Sequence, residues 1–290
     1  MDVSLKSAGI AAVAAISILS AMAAADEPAR LNPDPAYLGQ PAEAAAGGGS
    51  DVELAKKLSN PVADLISIPF QFNYDEGYGP KDAGIWRLNV QPVIPIRLNE
   101  DWNLITRTIV PVIYQDSLAD GMDHEFGLGD IVQSFFFSPR QPMNGWIMAF
   151  GPVFNWPTAT DELLGSEKWG AGPTGLILKQ EHGWTYGVLA NHIWSFAGDD
   201  DRADLNVTFL QPFLAYTFPT ATTISLNTES TYNWDSEDWT VPINLMANQM
   251  VRIGKLPVQF GVGVRWYAES PDGGPEWGAR FMMTILLPAR

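Results

Sequence analysis

The sequence predicts an all-β fold: a single transmembrane antiparallel β-barrel of about 12 strands, of the outer-membrane type. Three observations predict it. Extended segments alternate apolar and polar side chains, their connections alternate long and short, and the chain opens with the layout of a secretory signal. Alternation with period two gives a strand one apolar and one polar face. Segments of roughly 10 to 16 residues are long enough to cross a bilayer at a tilt.

Composition narrows the classes. With 46% apolar and 17% charged residues, the 290-residue chain is not disordered throughout. A net charge of −16, from 33 acidic against 17 basic residues, disfavours nucleic acid as a partner, because phosphate binding needs a basic face. Cysteine is absent, which excludes disulfides, thiol chemistry and a thiolate zinc site. The 26 glycines and 11 tryptophans fit a β protein rich in turns and aromatics.

Residues 1–25 carry Lys6, an apolar run from Ala8 to Met22, and small residues at Ala23 and Ala25. They read as a signal peptide cleaved near Ala25, the run being short for a membrane span and lacking a basic stop-transfer cluster. Residues 26–58 read as a flexible periplasmic linker, rich in Pro, Ala and Gly, with a short amphipathic helix in DVELAKKLSN capped by Asp51. No later stretch is long and apolar enough for a membrane helix. The barrel is assigned to residues 59–290.

Twelve segments begin near residues 61, 84, 101, 130, 144, 168, 183, 203, 221, 240, 257 and 276. Short connections such as LNED and KQEHG alternate with longer ones, YDEGYGPKDAG, QDSLADGMDHEFGLGD, PTATDELLGSEK, AGDDDRAD, WDSEDW and AESPDGGPEW. One end of the sheet therefore carries the long loops and the other the tight turns, as in outer-membrane barrels. In the second segment Trp86, Leu88, Val90, Pro92, Ile94, Ile96 and Leu98 share a face opposite Arg87, Asn89, Gln91 and Arg97. Trp146 to Trp156, Val258 to Trp266 and Trp277 to Leu287 repeat the pattern, with aromatics at the ends as interface belts require. The segment from residue 183 is ambiguous, since either register sends His192 or Asn191 toward lipid. Pro92, Pro95, Pro111, Pro152, Pro173, Pro212 and Pro242 fall inside strands, where each removes a ladder hydrogen bond and demands a bulge.

The stretches LAKKLSNPVADLISIPFQFNYD, LNVQPVIPIRLNEDWNLITRTIVPVIYQ, FGLGDIVQSFFFSP, PTATDELLGSEKWGAGPT, AGDDDRADLN and STYNWDSEDWTVPIN closely resemble a family of Gram-negative outer-membrane proteins related to the MetA-pathway of phenol degradation group. Members are filed as transporters, some under the label neuromedin U. The resemblance covers roughly residues 54 to 290 and implies a β-barrel whose motifs include the in-strand prolines. It supplies no agreed substrate or binding residues. The ending LLPAR departs from outer-membrane barrels at large, which often finish on an aromatic residue.

Catalysis is not expected. A hydrolase on the outer wall needs Ser, His and an orienting group together, but Asn191 and Ser195 point to the face opposite His192. His124 and His182 fall in a loop and a turn. Asp199, Asp200, Asp201 and Asp204 are a weak candidate metal loop, lacking EF-hand spacing and better read as a solvated acidic segment beside lipopolysaccharide. No cofactor is expected.

Function is expected on the inward faces. Arg87, Arg97, Arg107, Arg252, Arg265 and Arg280 fall there with Gln71, Gln91, Asn227, Glu229 and Asn244. Of these, Arg87, Gln91, Arg107, Asn227, Glu229, Arg265 and Arg280 form the candidate lumen constriction. Two readings stay open. Either the arginines select aromatic or anionic solutes by charge and stacking, or Glu229 pairs with one or two of them and the barrel is merely filled. The expected function is a passive channel or transporter for small molecules in the outer membrane, in contact with lipid and lipopolysaccharide. A membrane-embedded hydrolase and a secreted soluble ligand-binding protein are the alternatives.

Overall fold

The structure is a computed structural model that describes residues 50–287. The expected signal peptide, nearly all of the linker before the helix, and the last three residues lie outside the described residues. One helix, α1 (Asp51–Leu58), precedes fifteen strands: β1 (Ile66–Tyr78), β2 (Ala83–Val90), β3 (Val93–Arg97), β4 (Trp102–Gln115), β5 (Glu125–Leu128), β6 (Ile131–Pro139), β7 (Trp146–Trp156), β8 (Lys168–Glu181), β9 (Trp184–Gly198), β10 (Asn206–Thr217), β11 (Thr222–Thr228), β12 (Ser230–Asn233), β13 (Asp238–Ile253), β14 (Leu256–Glu269) and β15 (Trp277–Leu287). Every pairing is antiparallel, and β15 pairs with β1, so the sheet closes on itself.

Fifteen strands make twelve staves because three staves are broken in two: β2 with β3, β5 with β6, and β11 with β12. Prolines sit at each break. Pro92 separates β2 from β3, and Gly129, between β5 and β6, donates its N–H to the Pro111 carbonyl across the wall. Glu229, between β11 and β12, lies where Pro212 on β10 and Pro242 on β13 flank it from either side. A residue without an N–H cannot close its rung, so the ladder stops and restarts. Pro152 and Pro173 face each other in register, and the rungs beside them are missing as well. At Gly172 an added β-carbon would run into the His192 carbonyl, so only glycine allows that approach.

The wall is apolar outside. Val262, Phe150, Trp86 and Trp266 stand exposed on it, while their neighbours Arg265, Arg280, Gln259 and Thr284 are buried inward. Val258 shares the outward register yet is covered by its neighbours. In β9, His192 takes the outward face and Asn191 the inward one, which settles the ambiguous segment: Trp194, one rung on, is exposed.

The loop asymmetry is weaker than the sequence suggests. Tight turns close the end near Asn99, His182, Pro219 and Gly254. At the other end only 116–124, 157–167, 199–205 and 270–276 are long. YDEGYGPKDAG contains just Gly79–Asp82 outside the ladder, because β1 runs on to Tyr78, and WDSEDW contains only 234–237. The polar residues there predict a loop, but Asp75 and Glu76 continue the strand with partners on both sides. Loop 157–167 folds onto its mouth: Leu164 packs against inward-facing Ile85 and Ile113, and Arg202 donates to the carbonyls of Glu162 and Gly165.

Helix α1 lies across the turn end. Its cap is Ser50, whose hydroxyl accepts from the Glu53 N–H at 3.3 Å, and not Asp51. Asp51 instead reaches Arg252 at 2.6 Å. Acidic residues in the first turn and Lys56 and Lys57 in the last suit the helix dipole. Leu54 and Ala55 bury against Leu65, Ala221, Met250 and Leu286, and Gln180 donates to the Lys56 carbonyl at 2.8 Å. Beside it, Val62 joins an inward apolar cluster of Ile105, Phe136, Leu176, Leu178 and Leu189, which fills that part of the lumen.

Candidate functional site: an arginine-rich lumen

Strand alternation decides which side chains meet inside. On β1, Phe70, Phe72 and Tyr74 point out, so Gln71, Asn73 and Asp75 point in. On β14 and β15, Arg265 and Arg280 do the same. Glu229 projects inward from the break between β11 and β12, where the backbone has left the ladder.

These residues form a lattice toward the loop end. Arg280 Nη1 and Nη2 each meet a Glu229 carboxylate oxygen at 2.8 Å, a two-pronged contact, and its Nε donates to Asn73 Oδ1 at 2.7 Å. Arg265 reaches Glu229 at 3.4 Å, Asn73 at 3.3 Å and the Tyr267 hydroxyl at 2.8 Å. Its Nε lies 2.7 Å from Asp75 Oδ1, off the line of a good hydrogen bond, so that pair is a charge contact. Asp75 is 0% exposed and also faces Arg87 at 3.9 Å. Burying so many charges is tolerable because nearly every one has an opposite partner.

Below the lattice, toward the turn end, lies a cavity of about 210 Å³. Arg107, Gln91, Gln71, Asn227, Glu229 and Arg280 line its upper part, and Leu58 at the end of α1, with Pro61, Ala63 and Leu65 of the segment after it, forms its floor. Arg107 Nη2 donates to Gln91 Oε1 at 2.9 Å, and Gln91 in turn donates to Gln71. No carboxylate among the described residues lies within ion-pair distance of Arg107.

The candidate set thus divides. Arg265, Arg280 and Glu229 meet directly, with Arg87 at the edge. Arg107, Gln91 and Asn227 line the cavity, and Asn227 accepts from Asn244 at 2.7 Å. Arg97 and Arg252 are not lumenal: Arg97 is exposed at a turn, where its Nε donates to the Asn99 carbonyl, and Arg252 holds α1. Asp75, Asn73 and Tyr267 were outside the candidate set. Asp75 was missed because YDEG carries turn chemistry, although the alternation through Phe70, Phe72 and Tyr74 continues into it.

The other candidates do not converge. His192 Nδ1 lies 2.7 Å from Thr208 Oγ1 on the outer wall, beside Trp194 and Trp234, with Asn191 and Ser195 on the opposite face. Asp199 accepts from the Asp201 N–H, and Asp204 is taken by Ser195 at 2.9 Å and Lys168 at 3.1 Å. Among the described residues no group of three or more metal-ligating side chains is placed to share an ion.

The barrel superimposes on the COG4313 outer membrane channel from Pseudomonas putida F1 with a TM-score of 0.61, at 14% identity over 77% of this chain and 96% of that one. The chain folds as a β-barrel of the outer-membrane type. That channel is of the MetA-pathway of phenol degradation family, the group that the sequence motifs resemble. Looser matches are the KdgM porin (TM-score 0.43, 12% identity, 77% of this chain and 98% of that one) and outer membrane phospholipase A from Escherichia coli (0.43, 12%, 78% and 90%). No family model and no curated protein matches the sequence.

Proposed function

We propose that the barrel is a passive channel for small solutes in the outer membrane, held here in a closed state. The observation that carries this is the lumen itself: a cavity lined by both polar and apolar side chains sits inside the wall, between a charged lattice above and α1 below. A wall that is apolar outside and charged inside suits lipid around it and water within it, and argues against the soluble alternative. The turn end faces the periplasm in this reading, so α1 closes the periplasmic mouth. Against the hydrolase alternative, Asn191 and Ser195 lie on the face opposite His192 among the described residues.

The test is to unseat the helix. Ala55→Asp places an unpaired charge at a fully buried position, and should release α1 while leaving the sheet intact. In planar bilayers the variant is expected to conduct more than the parent protein. Equal currents, with α1 shown to be displaced, would remove the channel reading.

A further inference from the structure

We propose that the cavity beside Arg107 is a binding site for a small organic monocarboxylate, whose carboxylate sits on the Arg107 guanidinium. The proposal rests on the channel reading for its role in transport. Its existence can be tested without any transport.

Charge points to an anion. Among the described residues, Arg87, Arg107, Arg265 and Arg280 share the central lumen with the carboxylates of Asp75 and Glu229, four positive groups against two negative ones. Both carboxylates are taken by the lattice. Of the two charges left over, one therefore falls on Arg107, whose one side-chain hydrogen-bond partner among the described residues is the neutral Gln91 amide. A guanidinium presents five donors in a plane, and one amide oxygen leaves most of them to an incoming ligand. Asn227 adds donors, because its carbonyl oxygen is used by Asn244 while its amide nitrogen has no protein partner among the described residues.

Size and walls point to the class. A cavity of about 210 Å³ is smaller than a drug-sized pocket, typically about 300 Å³ or more. Met246 and Met282 line it as well, offering polarizable apolar surface to an aromatic or short aliphatic body. Glu229 on the same wall disfavours a second negative charge. A monocarboxylate such as benzoate satisfies all three conditions, and inorganic phosphate satisfies one.

Benzoate, benzyl alcohol and inorganic phosphate binding to the full chain in detergent would be measured by calorimetry. Benzoate is expected to bind, and to bind more tightly than either of the others. Arg107→Gln should weaken benzoate about tenfold or more, the loss of a charge-assisted pair, leaving benzyl alcohol unchanged, and Arg107→Lys should restore part of the difference. Met246→Trp, which fills the cavity from the opposite wall, should abolish benzoate binding and remains informative if Arg107→Gln does not fold. Equal affinities for benzoate and benzyl alcohol, tighter phosphate than benzoate, or full benzoate binding in Met246→Trp would overturn the site. A barrel that binds benzoate in this way yet never conducts would instead remove the channel reading alone.

Discussion

Arg280 on β15 and Arg107 on β4 both point into the lumen, yet Arg280 meets Glu229 through two contacts of 2.8 Å while Arg107, among the described residues, donates to an amide oxygen and to no carboxylate. The first arrangement ties β15 to the broken stave between β11 and β12, reaching past β14 and β13. The second ties β4 only to the adjoining break. The same residue type thus braces one layer of the barrel and leaves a charge unanswered in the next. The two readings of the inward arginines, internal bracing and solute selection, belong to different layers.

The largest effect expected from this contrast is at Glu229. Glu229→Gln takes the carboxylate from Arg280 and leaves Arg265 with Asp75 alone, and removing one partner of a buried ion pair costs about 3–5 kcal/mol, to be read as a lowered unfolding midpoint. The next compares the lumen with the wall. Val262 is 60% exposed on the outer face, so Val262→Arg should cost about 2–4 kcal/mol if the site lies near the bilayer midplane. Gly261, one step along, faces the lumen, where a β-carbon would collide with the Asn248 side-chain oxygen. Any polar substitution at Gly261 must displace Asn248, and equal losses at both positions would show the packing term to be as large as the lipid term.

Arg107→Gln should change stability by no more than about 1 kcal/mol, the scale of one hydrogen bond. A loss comparable to that of Glu229→Gln would place Arg107 in the brace. The smallest effect is at the loop end. The Ser195 hydroxyl and the Lys168 ammonium hold the Asp204 carboxyl below the usual aspartate range. Such a group contributes above its unfolded value, about 3.9, and the contribution is lost as pH falls through the lower folded value. Hydrogen exchange in 199–205, corrected for intrinsic rates, should stay flat from neutral pH to about 5 and rise in stronger acid.

Much of the barrel was legible because period-two alternation is a property of the residues themselves. Trp277 to Leu287 and Val258 to Trp266 needed nothing beyond it. The prolines announced wall defects, but that Pro212 and Pro242 flank Glu229 is a matter of register between strands, which no single segment carries. Glu229 meeting an arginine stood as one of the two open readings. Which arginines it meets depends on side chains reaching across three staves. Asp75 was hidden by turn-forming neighbours, and Ser50 by a linker composition that masked its capping role. That Arg107 pairs with an amide rather than a carboxylate is set by where the carboxylates end up, and is visible only once the barrel is closed.

The most direct test is the reversal potential of the Ala55→Asp protein across a KCl gradient, with and without Arg107→Gln. With Arg107 present the current should favour chloride, because an uncompensated charge in a confined lumen outweighs screened charges on the loops. Arg107→Gln should move the reversal potential toward the cation side, whereas Arg87→Gln, at the lattice edge, should move it less. A reversal potential unchanged by Arg107→Gln would contradict the account.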